Sequence, residues 1–98
     1  MERDQMSELK RISQDISRVF GVSPSAMHSN DRTDAVASAR FVVFAILRHS
    51  GHHPKAIGSM FGRARTTVIH GLTKIESLWL DRGMAKKLSA IKSCGYKF

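Results

Sequence analysis

Arg63, Thr66, Thr67, His70, Thr73, Lys74 and Ser77 carry cations, hydroxyls and an imidazole at a spacing that gathers them on one side of a helix. No carboxylate stands among them. Donors of this kind suit phosphate oxygens, and Arg, Lys, Ser and Thr can also read base edges in the major groove of a duplex. An ordinary solvated face carries the same residue types. The pattern therefore gains meaning only from the elements that would hold it.

Those elements are legible on either side. Pro54 suits the first position of a helix, where its missing N–H costs nothing. Ala56, Ile57 and Met60 then give that helix a small apolar face. Gly62 follows Phe61 where a helix end favours a left-handed residue. Beyond it Val68, Leu72, Ile75 and Trp79 recur at helical spacing, which predicts one longer second helix with its apolar stripe opposite the donors. The stretch reads as helix, tight turn, helix.

The segment Phe61-Gly-Arg-Ala-Arg-Thr-Thr-Val-Ile-His-Gly71, with Lys74-Ile75 after it, resembles the signature of the C-terminal DNA-binding domain of the bacterial replication initiator DnaA. That family reads approximately F-G-G-R-D-H-T-T-V-L-H-A. The run Gly-Arg-x-x-Thr-Thr-Val-x-His is long, and helix patterning does not explain it. The family has two glycines in the turn and this chain has only Gly62, so the turn is one residue shorter. The resemblance extends weakly over roughly residues 9–91 and leaves out the ATPase module of a full initiator. It implies an all-α, Trp-repressor-like fold of about five to six helices with a central helix-turn-helix.

The resemblance also assigns roles. The family reads bases in the major groove with an Asp-His-Thr triplet, and the matching positions here are Ala64, Arg65 and Thr66. Ala64 cannot accept from a cytosine amino group, whereas Arg65 suits bidentate contact with guanine, so a different sequence preference is expected. On a helical wheel Arg65 leans toward the apolar stripe, and pairing with a protein carboxylate is the competing role. Pro54, Lys55, Arg63, Thr67, His70 and Lys74 are expected at phosphates or flanking the bases. The amides at the start of the second helix would add to that attraction. For Pro54 the role of plain helix starter is as good. One arginine near the start of the family's central helix enters the minor groove, and Arg32 and Arg40 are the residues available here.

The chain has 98 residues, enough for one domain with a modest core. Its hydrophobic fraction of 42% argues against wholesale disorder. The formal net charge of +8 is unevenly placed. Residues 1–30 hold four basic and four acidic residues, and residues 31–98 hold the other twelve basic and four acidic ones. The whole excess accompanies the helix-turn-helix, which favours an anionic partner. The single Cys94 cannot form an internal disulfide and fits a reducing compartment. The N-terminus is charged and lacks an apolar run, and the longest apolar run, residues 41–47, is far short of the ~20 residues that span a bilayer. A soluble, cytoplasmic, nucleoid-associated protein is expected, with no membrane partner.

In order along the chain, residues 4–20 read as an amphipathic helix closed by Gly21, then Ser23 and Pro24 start a short turn of helix. A polar linker at residues 29–34 leads into a helix that runs to about Ser50 and stops at Gly51. Phe41–Leu47 is apolar nearly all round, as a buried central helix would be, with a buried strand as the competing reading. Arg48, like Arg40, could reach phosphate from its end of that run. His49, His52 and His53 sit in a loop without a nearby Cys, Asp or Glu, which speaks against zinc. His53 could instead cap the next helix or touch phosphate. Asp81-Arg-Gly83 is expected to break the second helix, and Met84 to about Ser93 to form the last one. Leu88, Ala85 and Ile91 would face in and Lys86, Lys87 and Lys92 out. The tail, residues 94–98, is expected to be loosely held, with Tyr96 and Phe98 able to pack back.

No Walker-type glycine loop, paired carboxylates or Cys–His dyad appears, so neither an enzyme nor a cofactor is expected. The sequence is read as a single helix-turn-helix domain over residues 1–98, standing alone, with an N-terminal helix at about 4–20 and a core at 31–93. Its expected partner is double-stranded DNA, bound sequence-specifically, in replication initiation or transcription regulation. A homodimer or contacts with replication proteins stay open. The alternative is a protein-interaction module whose face around Thr66 and His70 docks an acidic partner.

Overall fold

The computed structural model describes residues 2–29 and 33–98, the first four of them by backbone alone. The described residues form seven helical segments and no strand. They are α1 (Glu2–Phe20), α2 (Pro24–Met27), α3 (Asp34–His49), α4 (Pro54–Phe61), α5 (Arg65–Thr73), α6 (Ile75–Leu80) and α7 (Arg82–Ser93).

Helix α3 is the centre of the molecule. Val42 to Leu47 are all buried, so the apolar run is a helix surrounded by others and not a strand. On one side it meets Leu9, Ile12, Ile16 and Phe20, which recur on α1 at the three- and four-residue spacing of one helical face. On the other it meets Ile57 and Phe61 of α4 and Val68 of α5, while Leu88 and Ile91 of α7 complete the core. The Phe44 ring meets Phe61 edge-on at 5.0 Å.

Local chemistry sets the boundaries. Gly21 has φ 70, and the Val22 amide donates to the Ser17 carbonyl, closing α1. The Ser23 hydroxyl accepts from the Ala26 amide, so Ser23 and Pro24 start α2 as the sequence implies. Ser50 caps α3 and Gly51 follows with φ 107. His53 caps α4, its Nδ1 accepting from the Lys55 amide at 3.2 Å.

Two boundaries differ from expectation. The predicted long second helix is interrupted at Lys74. Thr73 Oγ1 donates to the His70 carbonyl at 2.6 Å, and the Lys74 amide bonds Gly71 instead. A threonine hydroxyl that takes up an i−3 carbonyl competes with the helix ladder. The last helix also begins at Arg82 and not at Met84, because the Asp81 carboxylate accepts from the Met84 amide and caps it. Gly83 is thus inside its first turn.

The tail packs back. Tyr96 donates its hydroxyl to Asp15 on α1, with the Arg11 guanidinium 5.9 Å from the ring. Phe98 stacks on Trp79 at 6.4 Å, and the Lys92 ammonium lies over both rings. Lys87, expected outward, lies 5.2 Å from the Phe20 ring.

Candidate nucleic-acid interface

Val68 and Gly71 fix the orientation of α5. Val68 is fully buried, and a Cβ on Gly71 would fall 2.6 Å from the Phe41 ring and 2.9 Å from Phe44. Only glycine lets α5 lie this close to α3. The turn between α4 and α5 is equally tight. Gly62 adopts φ 64, the Arg63 amide donates to the Gly58 carbonyl at 2.8 Å, and a Cβ on Gly58 would stand 2.5 Å from the Arg63 carbonyl oxygen. With α5 pinned from inside, Arg65, Thr66, Thr67, Ile69, His70, Thr73 and Lys74 are exposed.

Four of the expected interface residues, Lys55, Arg63, Ala64 and Arg65, are brought together. Lys55, Ser59, Arg63, Ala64 and Arg65 line one shallow cleft of about 420 Å³ between α4 and the start of α5. Among the described residues three cations and no carboxylate face it. Ala64 is the N-cap of α5 and offers no side-chain acceptor to the first amides. Those amides and the three cations give the cleft the character of an anion site. Among the described residues Arg65 makes no ion pair, so the competing pairing with a protein carboxylate is not what the fold provides.

Arg63 is half-buried and divided in its duties. Its Nη2 donates to the Ser29 carbonyl, while its Nε is buried without a partner. Pro54 is half-buried as the first residue of α4. His70 is exposed and edge-on to Phe41 at 6.5 Å, and Lys74 sits at the break after α5.

Arg40 is placed elsewhere. It is 5% exposed, its Nε donates to the Met27 carbonyl at 2.7 Å, and its Nη2 reaches the carbonyls of Ser29 and Ala26. It satisfies the open end of α2 and does not belong to the exposed face. Arg32, the other residue considered for a minor groove, lies outside the described residues. Arg48 is exposed at the end of α3, its Nη1 3.4 Å from the His52 carbonyl. His28 stacks on Phe61 at 4.5 Å, and burial, then the Arg40 and Arg63 guanidinium groups, hold its pKa below the ordinary value.

Among the described residues no three His, Cys, Asp or Glu side chains converge as a metal site would require. His52 pairs with Glu8 at 2.7 Å and His53 caps α4, so two imidazoles of the loop have other work. No described helix is long and apolar enough to cross a membrane.

Sequence reasoning missed Ile69. The helical spacing assigns it to neither the apolar stripe nor the donor face, yet it is 43% exposed among the polar residues of α5. The available signal was its position, four residues after Arg65 and three after Thr66.

Comparison with known proteins agrees with this geometry. Residues 9–75 match the bacterial dnaA protein helix-turn-helix family. A chromosomal replication initiator protein DnaA from Kosmotoga olearia is 35% identical over 72 residues, which is 72% of this chain and 16% of that protein. The chain thus spans about a sixth of the relative's length. A glycine-closed turn, a pinned second helix and the match over α1 to α5 lead to one conclusion: the chain belongs to the bacterial DnaA helix-turn-helix family and is a DNA-binding domain of that type.

Proposed function

We propose that this domain binds double-stranded DNA sequence-specifically, with α5 in the major groove. The observation that carries the reading is the exposed start of α5, where Arg65 and Thr66 stand free beside a cleft lined by Lys55, Arg63 and Arg65. Arg65 reads guanine O6 and N7 through two parallel N–H donors, a contact worth about 1–3 kcal/mol of discrimination. Thr66 contacts the adjoining base edge. Lys55, Arg63, Thr67, His70 and Lys74 hold the helix in register through phosphates, and Ala64 lets the backbone approach closely. The neutral N-terminal helix packs against the core and takes no part in the contact.

Binding of this kind puts the protein on the nucleoid, where it regulates replication initiation or transcription by occupying initiator-like sites. The direct test is selection from a random duplex pool at fixed salt, with wild type and Arg65→Ala in parallel. A motif containing a guanine that blurs in the variant supports the reading. Salt-sensitive binding without a motif reduces it to non-specific coating of DNA. Absence of binding turns the exposed face into a docking surface for an acidic protein.

A further inference from the structure

We infer that Ile69 is a second specificity-determining residue, reading the methyl group of a thymine close to the guanine read by Arg65. The inference rests on the proposed sequence-specific binding and adds a residue, a base and a spacing to it.

Ile69 is the one large apolar side chain of α5 left 43% exposed; Val68 is fully buried and Leu72 half-buried. At 3.6 residues per turn Ile69 lies about 40° around the helix from Arg65 and about 60° from Thr66. It therefore shares their aspect, and His70 and Thr73 flank it on the exposed side. Val68 and Gly71 determine which way α5 faces, so Ile69 cannot turn inward without losing the contact with α3. A branched aliphatic group among donors has no hydrogen-bonding use on this face. The major groove offers one apolar feature that it fits, the C5-methyl of thymine.

The spacing follows from the helix. Arg65 and Ile69 are four residues apart, about 6 Å along the axis, which corresponds to roughly two base-pair steps of 3.4 Å. The thymine therefore stands within about two base pairs of the guanine. Arg65 supplies polar discrimination and Ile69 apolar discrimination on neighbouring pairs.

Deoxyuridine lacks only the C5-methyl, which makes the test specific to the contact. Each thymine of the selected site is replaced singly by deoxyuridine, and affinities are measured for wild type, Ile69→Ala and Ile69→Val. Wild type loses about fourfold at one thymine near the guanine, the effect of removing one methyl from an apolar contact. Ile69→Ala binds the thymine and deoxyuridine forms of that site equally, whereas Ile69→Val retains part of the difference. Helical content and melting of Ile69→Ala match wild type, since alanine is a better helix former and the site is exposed. The inference is overturned if every deoxyuridine substitution acts equally on wild type and Ile69→Ala. It is also overturned if the selected site holds no thymine within two base pairs of the guanine. A protein that selects no motif at all removes the underlying reading as well, which the selection shows before any deoxyuridine is introduced.

Discussion

Arg40 and Arg63 donate to the same carbonyl, that of Ser29. Arg40 comes from the buried helix α3 and Arg63 from the turn before α5. The α2–α3 connection is thereby tied to both the core and the interface. Truncating Arg40 to alanine leaves the Met27 and Ala26 carbonyls without their charged donor, while Ser29 keeps that of Arg63. Charge-assisted hydrogen bonds of this kind are worth about 1.5–3 kcal/mol each. Arg40→Ala should lower stability by about 3 kcal/mol in urea unfolding. DNA affinity of the folded fraction, measured in the cold, should change little. A selective loss of affinity at unchanged stability would instead place Arg40 on the DNA.

His28 stacks against Phe61, and burial, then the charges of the same two guanidinium groups, lower its pKa. The unfolded chain therefore binds more protons than the folded one between the depressed value and about 6.5. The contribution of neutral His28 is complete above about pH 6.5 and is lost as pH falls toward its folded value. His28→Phe keeps the stack and removes the titration. Below about pH 6.5 its unfolding free energy should slope less with pH than that of wild type.

Tyr96 is the one tyrosine in the sequence, which makes it a clean reporter on the tail. Burial, its hydrogen bond to Asp15 and the charge of that carboxylate push its pKa up to about 12, against an opposing pull from Arg11. A phenol held neutral in the fold contributes stability that is present at pH 10 and lost as pH rises through 12. Ultraviolet titration should show little phenolate at pH 10. Asp15→Asn should bring the ionisation down toward the ordinary value.

Gly58 tests the turn. A methyl group there would stand 2.5 Å from the Arg63 carbonyl oxygen, a backbone atom that moves only with the turn. Gly58→Ala should cost about 1–3 kcal/mol of stability. It should also weaken DNA binding beyond that, because Arg63 and Arg65 are displaced together. Retained affinity would show that the turn is more pliant than its packing suggests.

Base reading and phosphate contact separate by salt. Arg65→Ala should flatten the preference at one guanine, while Lys74→Ala should weaken all duplexes alike. Three phosphates neutralised by Lys55, Arg63 and Lys74 give a log K against log salt slope of about −3. Removing Lys74 should lessen that slope by about 0.9.

Much of this was readable in the residues because the signals are local. Ser23 with Pro24, Pro54, Gly62 and the Phe41–Leu47 run each depend on neighbours in sequence, and each appears where the chain implies. His53 as a cap was among the readings considered. Arg40 was not legible, because its partners are carbonyls eleven to fourteen residues away that only the fold brings near. The break at Lys74 was missed because a wheel counts side-chain directions and ignores a threonine hydroxyl that takes a backbone carbonyl. Asp81 was read as a breaker when it is also a cap. The packing of Tyr96 and Phe98 against residues far back in sequence was open for the same reason as Arg40.

The hydroxyl of Thr73 has a reach beyond helix geometry. By ending α5 after nine residues it limits the reading head to about 13 Å, or about four base pairs of groove. A word of about four letters recurs by chance every few hundred base pairs, and a genome offers vast numbers of such competitors. One head of this length cannot address a chromosome. Its information has to be multiplied, by several copies on adjacent words or by a second contact in series, and the density of words would then mark the place.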